Sequence, residues 1–441
     1  MKAIIQELEP IVGGSAIYDW ENLKPGWQER FARVNAPENF PSSIVYPSRA
    51  EELATVMSCA YSNSWGVLPC GSGSKLSWGG VSKGVDLVVS TERLNRVIDH
   101  AVGDLTVTVE AGVKFADLQE ILLKTGQFLP LEPAYPQEAT LGGIIATADS
   151  GSLRQRYGGV RDMLLGISFV RCDGQIAKAG GRVVKNVAGY DLMKLFTGSY
   201  GTLGVLTEVT VRVYPVPEAA GTVVLTGGVE AMDAIASATQ TLLASALTPT
   251  AFDLLSTQLV AKLGLGKGMG LMVRFQSVTQ SVQEQSSRLL EVGQKLGLQG
   301  TVYTDTDEAK LWQSLPEQIW TAPQEPAITC KIGILPTAAV TTLTQLDTLT
   351  SPPGLGLIHA GSGLGLLRLD PASVTAQTIM EMRRHCQSQG GFLTVLEAPI
   401  SLKQQLDVWG YSGNALNIMR GIKQQFDPKN LLSPRRFVGG I

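Results

Sequence analysis

The sequence predicts an α+β protein of at least two domains, and three observations carry that reading. At 441 residues the chain exceeds one ordinary core. Gly, Ser and Thr gather where strand-like runs end, chiefly in 66–84 and 142–204. After the Pro215–Pro217 pair the texture changes to strand candidates alternating with amphipathic helices, as a layered α+β domain requires. The expected divisions are an N-terminal arm over 1–36, a glycine-rich domain over 37–217, an α+β domain over 218–400 and a tail over 401–441.

Residues 1–36 mix Trp20, Trp27 and charges without a clear period and read as a lead-in arm. From Pro41 the pattern sharpens. SSIVYP is a short strand, and Ser48 with Glu51 three residues on reads as a capping box for the following helix. Leu53, Val56, Met57 and Ala60 then hold helical spacing on one face. GVDLVVS and DLTVTVEAG are strand-like, the second with β-branched residues in near alternation. FADLQEILLKTG is a helix stopped by Gly126. LLGISFVRCDG and GTLGVLTEVTVRVYPVP are two more strands. Beyond the prolines come the strands GTVVLTG, GLMVRFQ, AITCKIGILP, LLRLD and GFLTVLEAP and helices such as SVQEQSSRLLEVGQKLG. The tail reads as a helix, an Asp-Pro stop and an extended end.

Composition excludes several classes. Charged residues are 17% of the chain, against roughly 25% in an average domain. A net charge of −3 gives no electrostatic footprint for nucleic acid. Five dispersed cysteines without a C-x-x-C pair and three histidines supply neither a disulfide framework nor an iron–sulfur cluster. MKAIIQELEP places Glu7 and Glu9 where a secretory peptide needs an apolar core, and no run reaches the roughly 18 apolar residues of a membrane span. A cytoplasmic protein is expected, with peripheral attachment at the inner face of a membrane left open.

Glycine is where the signal lies. It makes up 48 of 441 residues, and 13 of those 48 fall between 142 and 204. PCGSGSKLSWGG (69–80), EATLGGIIATADSG (138–151), LRQRYGGVRDM (153–163), GGRVVKNVAGYDLMKL (180–195) and GSYGTLGVLTEV (198–209) each put small residues at a strand end. Such turns aim backbone N–H groups at an anion and let a phosphate approach closely. GSGSKLSWGG does not fit the P-loop pattern, and no G-x-G-x-x-G joins a strand to a helix, so neither a P-loop nor a Rossmann site is expected.

The order of these motifs resembles the FAD-binding domain of the vanillyl-alcohol oxidase/p-cresol methylhydroxylase (PCMH-type) family. The matching features are PSS-x-x-YP-x-x-x-EEL, PCGSGSK, VTVEAGV, ATLGGIIAT, R-x-RYGG-x-RD and G-S-x-GTLGV-x-TE, across about 37–217. Within the family, KNVAGYDL at 185–192 and the FDPKNLLSP ending are most similar to E-type subunits of glycolate dehydrogenase (glycolate oxidase).

The resemblance implies a two-part FAD domain closed by the returning tail, an inserted α+β cap domain like the C-terminal domain of FAD-linked oxidases, and bound FAD. It places Gly71, Ser72, Gly73, Ser74 and Lys75 around the pyrophosphate, and Thr140, Gly142, Gly143, Ala146 and Thr147 on the opposite side of the channel. Gly198, Gly201, Thr202, Gly204 and Val205 would present main chain to the cofactor, with Arg156 and Tyr157 near it. The pyrophosphate loop has no histidine for covalent attachment, so noncovalent FAD is expected; a thioether at Cys70 is the less favoured alternative.

The implied reaction is oxidation of a small 2-hydroxy acid, glycolate or D-lactate. The implied partners are a D-type flavoprotein and an F-type iron–sulfur subunit. His359 in IHAGSGLGLLRL stands where relatives carry HAGDGN-x-H, but Ser362 replaces the Asp and Leu366 the second His, so no metal site is expected. Catalytic candidates are His359 as acid/base, with Lys331 and Arg161 as cations for the substrate carboxylate. Arg154, Arg156 and Lys185 are further cations. Three alternatives stay open: a subunit that relays electrons, a self-sufficient dehydrogenase, and a non-catalytic assembly module. The final PRRF is expected to pin the tail to the FAD domain.

Overall fold

The structure, a computed structural model, describes residues 2–23, 25–32, 40–182, 189–320 and 327–441. Lys185 and half of KNVAGYDL, 185–188, lie outside the described residues. The chain forms two compact units. The first comprises 1–151, 158–216 and 411–441; the second comprises 152–157 and 217–410. The second unit thus extends past the expected end at 400 and recruits six residues from inside the glycine-rich region. Among the described residues no helix is long and apolar enough to cross a membrane.

In the first unit, strands Ile17–Asp19, Ser43–Val45, Leu87–Ser90 and Val67–Cys70 lie side by side in that order, the first pair antiparallel and the others parallel. Helix Ala50–Asn63 supplies the crossover and buries Leu53, Val56, Met57 and Ala60. Its N-terminus differs from the expected capping box. Arg49 is the N-cap and makes no side-chain cap bond. Instead the Glu52 carboxylate accepts from the Ser48 N–H and hydroxyl, both at 2.8 Å.

A five-stranded antiparallel sheet runs Val97–Ala101, Thr106–Glu110, Val205–Arg212, Leu164–Val170, Ile176–Gly180. The expected arm is part of this unit's core. Helix Lys2–Val12 buries Ile4 and Leu8 with Val56 and Met57, and helix Pro25–Ala32 buries Trp27 and Phe31 with Leu68 and Leu76. Both helices are short, so the periodic signal was weak.

The tail returns to this unit. Helix Leu416–Phe426 ends at Asp427-Pro428, and the extended stretch beyond bonds to strand Val67–Cys70 through Val67 N–H to Leu431 O and Ser433 N–H to Val67 O. The buried Lys423 ammonium donates to Asp427 Oδ2 (2.6 Å), Leu432 O (2.8 Å) and Thr202 O (3.0 Å). Arg436, also buried, donates to Leu76 O and Trp78 O, so PRRF does pin the tail to the glycine loop.

The second unit is one eight-stranded antiparallel sheet: Gln299–Thr304, Ala219–Thr226, Gly270–Ser277, Ala251–Leu255, Leu355–His359, Leu364–Leu369, Ile328–Gly333, Phe392–Glu397. One face, including Leu225, Val273, Phe252, Ile358, Cys330 and Val395, packs under helices Met232–Leu243, Thr279–Lys295, Ala339–Asp347 and Ala376–Ser388. Each fully buried aliphatic side chain there contributes about 1.5–3 kcal/mol of transfer free energy.

The opposite face is apolar at one end, where helix Asp305–Ile319 sets Leu311, Trp312 and Leu315 against Val224, Met272 and Leu357. It is polar elsewhere. Arg274 grips Glu308 through two bonds (2.6 and 3.0 Å), and Thr222 donates to the same carboxylate while accepting from the Trp312 indole.

Candidate functional site

The glycine turns of the first unit converge on one open cleft, enclosing about 790 Å³ of space not filled by protein, open solvent at its mouth included. That is within the usual range for a cofactor site. Three segments build its walls: 68–76, 140–147 and 199–206. The first is the end of strand Val67–Cys70 and the loop after it. Gly73 has φ +78, and a Cβ there would sit 2.8 Å from the Trp27 ring. Gly71 is closer still to the second wall: a Cβ would stand 2.0 Å from Thr140 Oγ1. Thr140 N-caps helix Leu141–Thr147, accepting from Gly143 N–H, and Gly142 lets that helix rest on Ala111.

Electrostatically the cleft is built from main chain. Among the described residues, the N–H groups of Ser72, Gly73, Ser74 and Lys75 donate to no protein acceptor. Ser72, Gly73 and Lys75 are buried, and consecutive unpaired N–H groups suit an anion. The Lys75 side chain does not add the expected charge. Its ammonium is buried and donates to Asp149 Oδ2 at 2.8 Å. Burial pulls it below the ordinary lysine range, against the pull of Asp149. Asp149 also accepts from Ala134 N–H (2.8 Å), which fixes the pair to the scaffold. Cys70 lines the wall as a half-buried thiol, raised by burial and then by Glu92, so it stays protonated.

Of the expected cofactor residues, those in 71–75 and 140–147 line the cleft, with Gly201, Gly204 and Val205. Gly198 and Thr202 do not. The Thr202 hydroxyl donates to Ser199 O, and its carbonyl receives Lys423, so it braces the loop from behind. Tyr200 and Arg436 were missed. Tyr200 lines the cleft with φ +53, between Gly198 and Gly201 at +78 and +72. A left-handed conformation costs a side-chain-bearing residue about 1–2 kcal/mol, and Tyr200 N–H to Ala146 O holds it there. Its position between two glycines was the readable signal.

Arg156 and Tyr157 are not on the cleft wall. They belong to the 152–157 excursion, where short helix Arg154–Tyr157 packs on strand Ala251–Leu255 of the second unit. Arg156 is exposed and Tyr157 half-buried. The same strand carries Asp253, which sits opposite His359 in register. The two side chains meet, with His359 Nδ1 2.7 Å from Asp253 Oδ1, and both are buried. Gly361, in the turn after His359, is met by Gln155: a Cβ would fall 2.0 Å from Gln155 Oε1. The excursion therefore lies on the His359 turn.

Lys331 shares the sheet face with His359, because it pairs with Leu366, which pairs with Leu357. Two strands and two residues separate Lys331 from His359, roughly 12 Å by strand geometry. Lys331 is half-buried and already has an interaction within the protein. Arg161 is exposed on the short helix Val160–Met163 of the first unit. It does not pair with the neighbouring Asp162, whose carboxylate accepts from Gly159 N–H.

Comparison with known proteins agrees with this geometry. Residues 41–180 match the FAD binding domain family, and residues 407–437 match the C-terminal domain of FAD linked oxidases. Glycolate oxidase subunit GlcD of Bacillus subtilis is 26% identical over 92% of this chain and 95% of its own length. The mitochondrial cytochrome-type D-lactate dehydrogenase of Arabidopsis thaliana is 26% identical over 99% of this chain and 80% of its own. Glycolate oxidase subunit GlcE of Escherichia coli is 41% identical, but over 34% of this chain and 42% of its own. The crystal structure of p-cresol methylhydroxylase superposes with a TM-score of 0.74 at 13% identity, covering 99% of this chain and 96% of that one. The fold is of the PCMH type, FAD is the cofactor, and the chain is an FAD-linked oxidoreductase. The glycine cleft fits that cofactor: unpaired N–H groups for the pyrophosphate, and walls where a Cβ would collide.

Proposed function

We propose that this chain oxidises a small 2-hydroxy acid, glycolate or D-lactate, to the 2-oxo acid as the E-type subunit of a glycolate-oxidising complex. A D-type flavoprotein and an F-type iron–sulfur subunit are its partners. The 41% identity with the E-type subunit over 150 residues, against 34–36% for D-lactate and D-2-hydroxyglutarate dehydrogenases matched over 177–180 residues, supports the subunit assignment. When bound, FAD accepts the hydride. The N–H groups of 72–75 hold the pyrophosphate, the segments 140–147 and 199–206 hold the remainder, and Lys75–Asp149 keeps the loop in shape. Cys70, half-buried and protonated, supports noncovalent retention. His359 takes the hydroxyl proton, and a cation from the Arg154–Tyr157 helix or Lys331 takes the carboxylate.

The subunit assignment is tested by co-expressing the tagged chain with D-type and F-type subunits. Recovery of an iron–sulfur-containing complex on the tag, with hydroxy-acid-dependent quinone reduction, is expected. Recovery of the chain alone, turning over glycolate or D-lactate with a dye, would replace it with a self-sufficient dehydrogenase. The whole-length matches to the D-type subunit and D-lactate dehydrogenase favour that second reading.

A further inference from the structure

We infer that Asp253 is the positioning residue of the acid–base group, fixing the His359 imidazole so that Nδ1 carries the proton and Nε2 is left as the base. The inference rests on the hydroxy-acid reading above. Asp253 lies within the apolar run AFDLL and is fully buried. A carboxyl group in such a place costs several kcal/mol unless something compensates. One oxygen is satisfied by His359 Nδ1; the other, Oδ2, is buried without a hydrogen-bond partner among the described residues. Packing alone would have favoured an apolar residue, so the carboxylate is present for the imidazole.

The geometry sets the tautomer. A carboxylate accepts, so Nδ1 donates and the lone pair resides on Nε2. Among the described residues Nε2 has no hydrogen-bond partner. The strand pairing fixes the ring further: His359 and Asp253 are opposite in register, the turn 360–363 closes with Gly363 N–H on His359 O (2.8 Å), and Gly361 abuts Gln155. In the reaction the substrate O–H proton would pass to Nε2, and FAD, when bound, would supply the acceptor for the Cα–H hydride. The Cα–O bond becomes a carbonyl. The positive imidazolium that results is stabilised by the Asp253 carboxylate beside it.

The test is nitrogen NMR of protein labelled at its three histidines, with His359 assigned by His359→Gln. Without substrate, wild type is expected to show His359 protonated at Nδ1 and bare at Nε2. Asp253→Asn, whose amide can donate to Nδ1, should move the proton to Nε2. It should also lower kcat about 100-fold with KM within about threefold, and add nothing to His359→Gln. Flavin content and melting temperature show whether that variant folds; the wild-type tautomer decides the matter if it does not. A proton on Nε2 in wild type would overturn the inference, as would full kcat in flavin-loaded Asp253→Asn. Because the tautomer is read without substrate, absence of hydroxy-acid turnover counts against the functional reading and not against this one.

Discussion

Lys75, on the wall of the glycine cleft, forms a buried ion pair with Asp149 at 2.8 Å, each side chain less than a tenth exposed. Removing one partner leaves the other charge buried and alone, which costs about 3–5 kcal/mol. Lys75→Met should therefore lower the melting temperature markedly and weaken FAD binding, while Lys75→Met with Asp149→Leu should recover most of the stability. Thermal unfolding of the apo and FAD-loaded variants measures both.

Gly71→Ala tests the contact between the two cleft walls. A Cβ there would strike Thr140 Oγ1, so the loop must move and its N–H groups lose their aim. The expected result is at least a tenfold higher Kd for FAD, about 1.4 kcal/mol, with little change in apo stability. Flavin fluorescence titration reads it directly.

Noncovalent attachment predicts that acid precipitation leaves all flavin in the supernatant. Cys70→Ser should retain FAD as wild type does, because burial keeps the thiol protonated and so a poor nucleophile. Flavin remaining with the protein pellet in wild type, and released in Cys70→Ser, would show a thioether.

Asp347 gives a pH-dependent prediction. It ends helix Ala339–Asp347, and burial pushes its carboxyl up to about 7. With the native pKa above the unfolded one, the folded state binds the extra proton, so stability falls as pH rises from about 4 through 7. The negative charge also faces the helix C-terminus. Asp347→Asn should raise stability by about 1–3 kcal/mol at pH 8 and change little at pH 4. Denaturant midpoints at the two pH values check the sign.

Sequence pattern located the cleft well, because glycine is demanded by close backbone approach and each such approach leaves a local mark. Gly71, Gly73 and Gly142 are of this kind. What it missed was non-local. The strands Ala251–Leu255 and Leu355–His359 are short apolar runs without alternation, indistinguishable by period from buried helix. Asp253 consequently had no readable partner, although His359 lies across from it. Lys75 looked like a free cation because Asp149, 74 residues away, is invisible to local pattern. Arg156 and Tyr157 followed the motif around them, yet six residues can cross into another unit without any change in composition. Arg161, also read as a cation, turned out exposed on its own short helix.

The proposed function requires that this chain bind FAD and use it to oxidise a small 2-hydroxy acid. Anaerobic mixing of the purified, FAD-loaded chain with glycolate, and separately with D-lactate, tests it most directly. The flavin absorbance bands are expected to bleach with at least one of them, and His359→Gln to slow bleaching about 100-fold or more. A flavin that stays fully oxidised with both acids, yet bleaches with a chemical reductant, would contradict it.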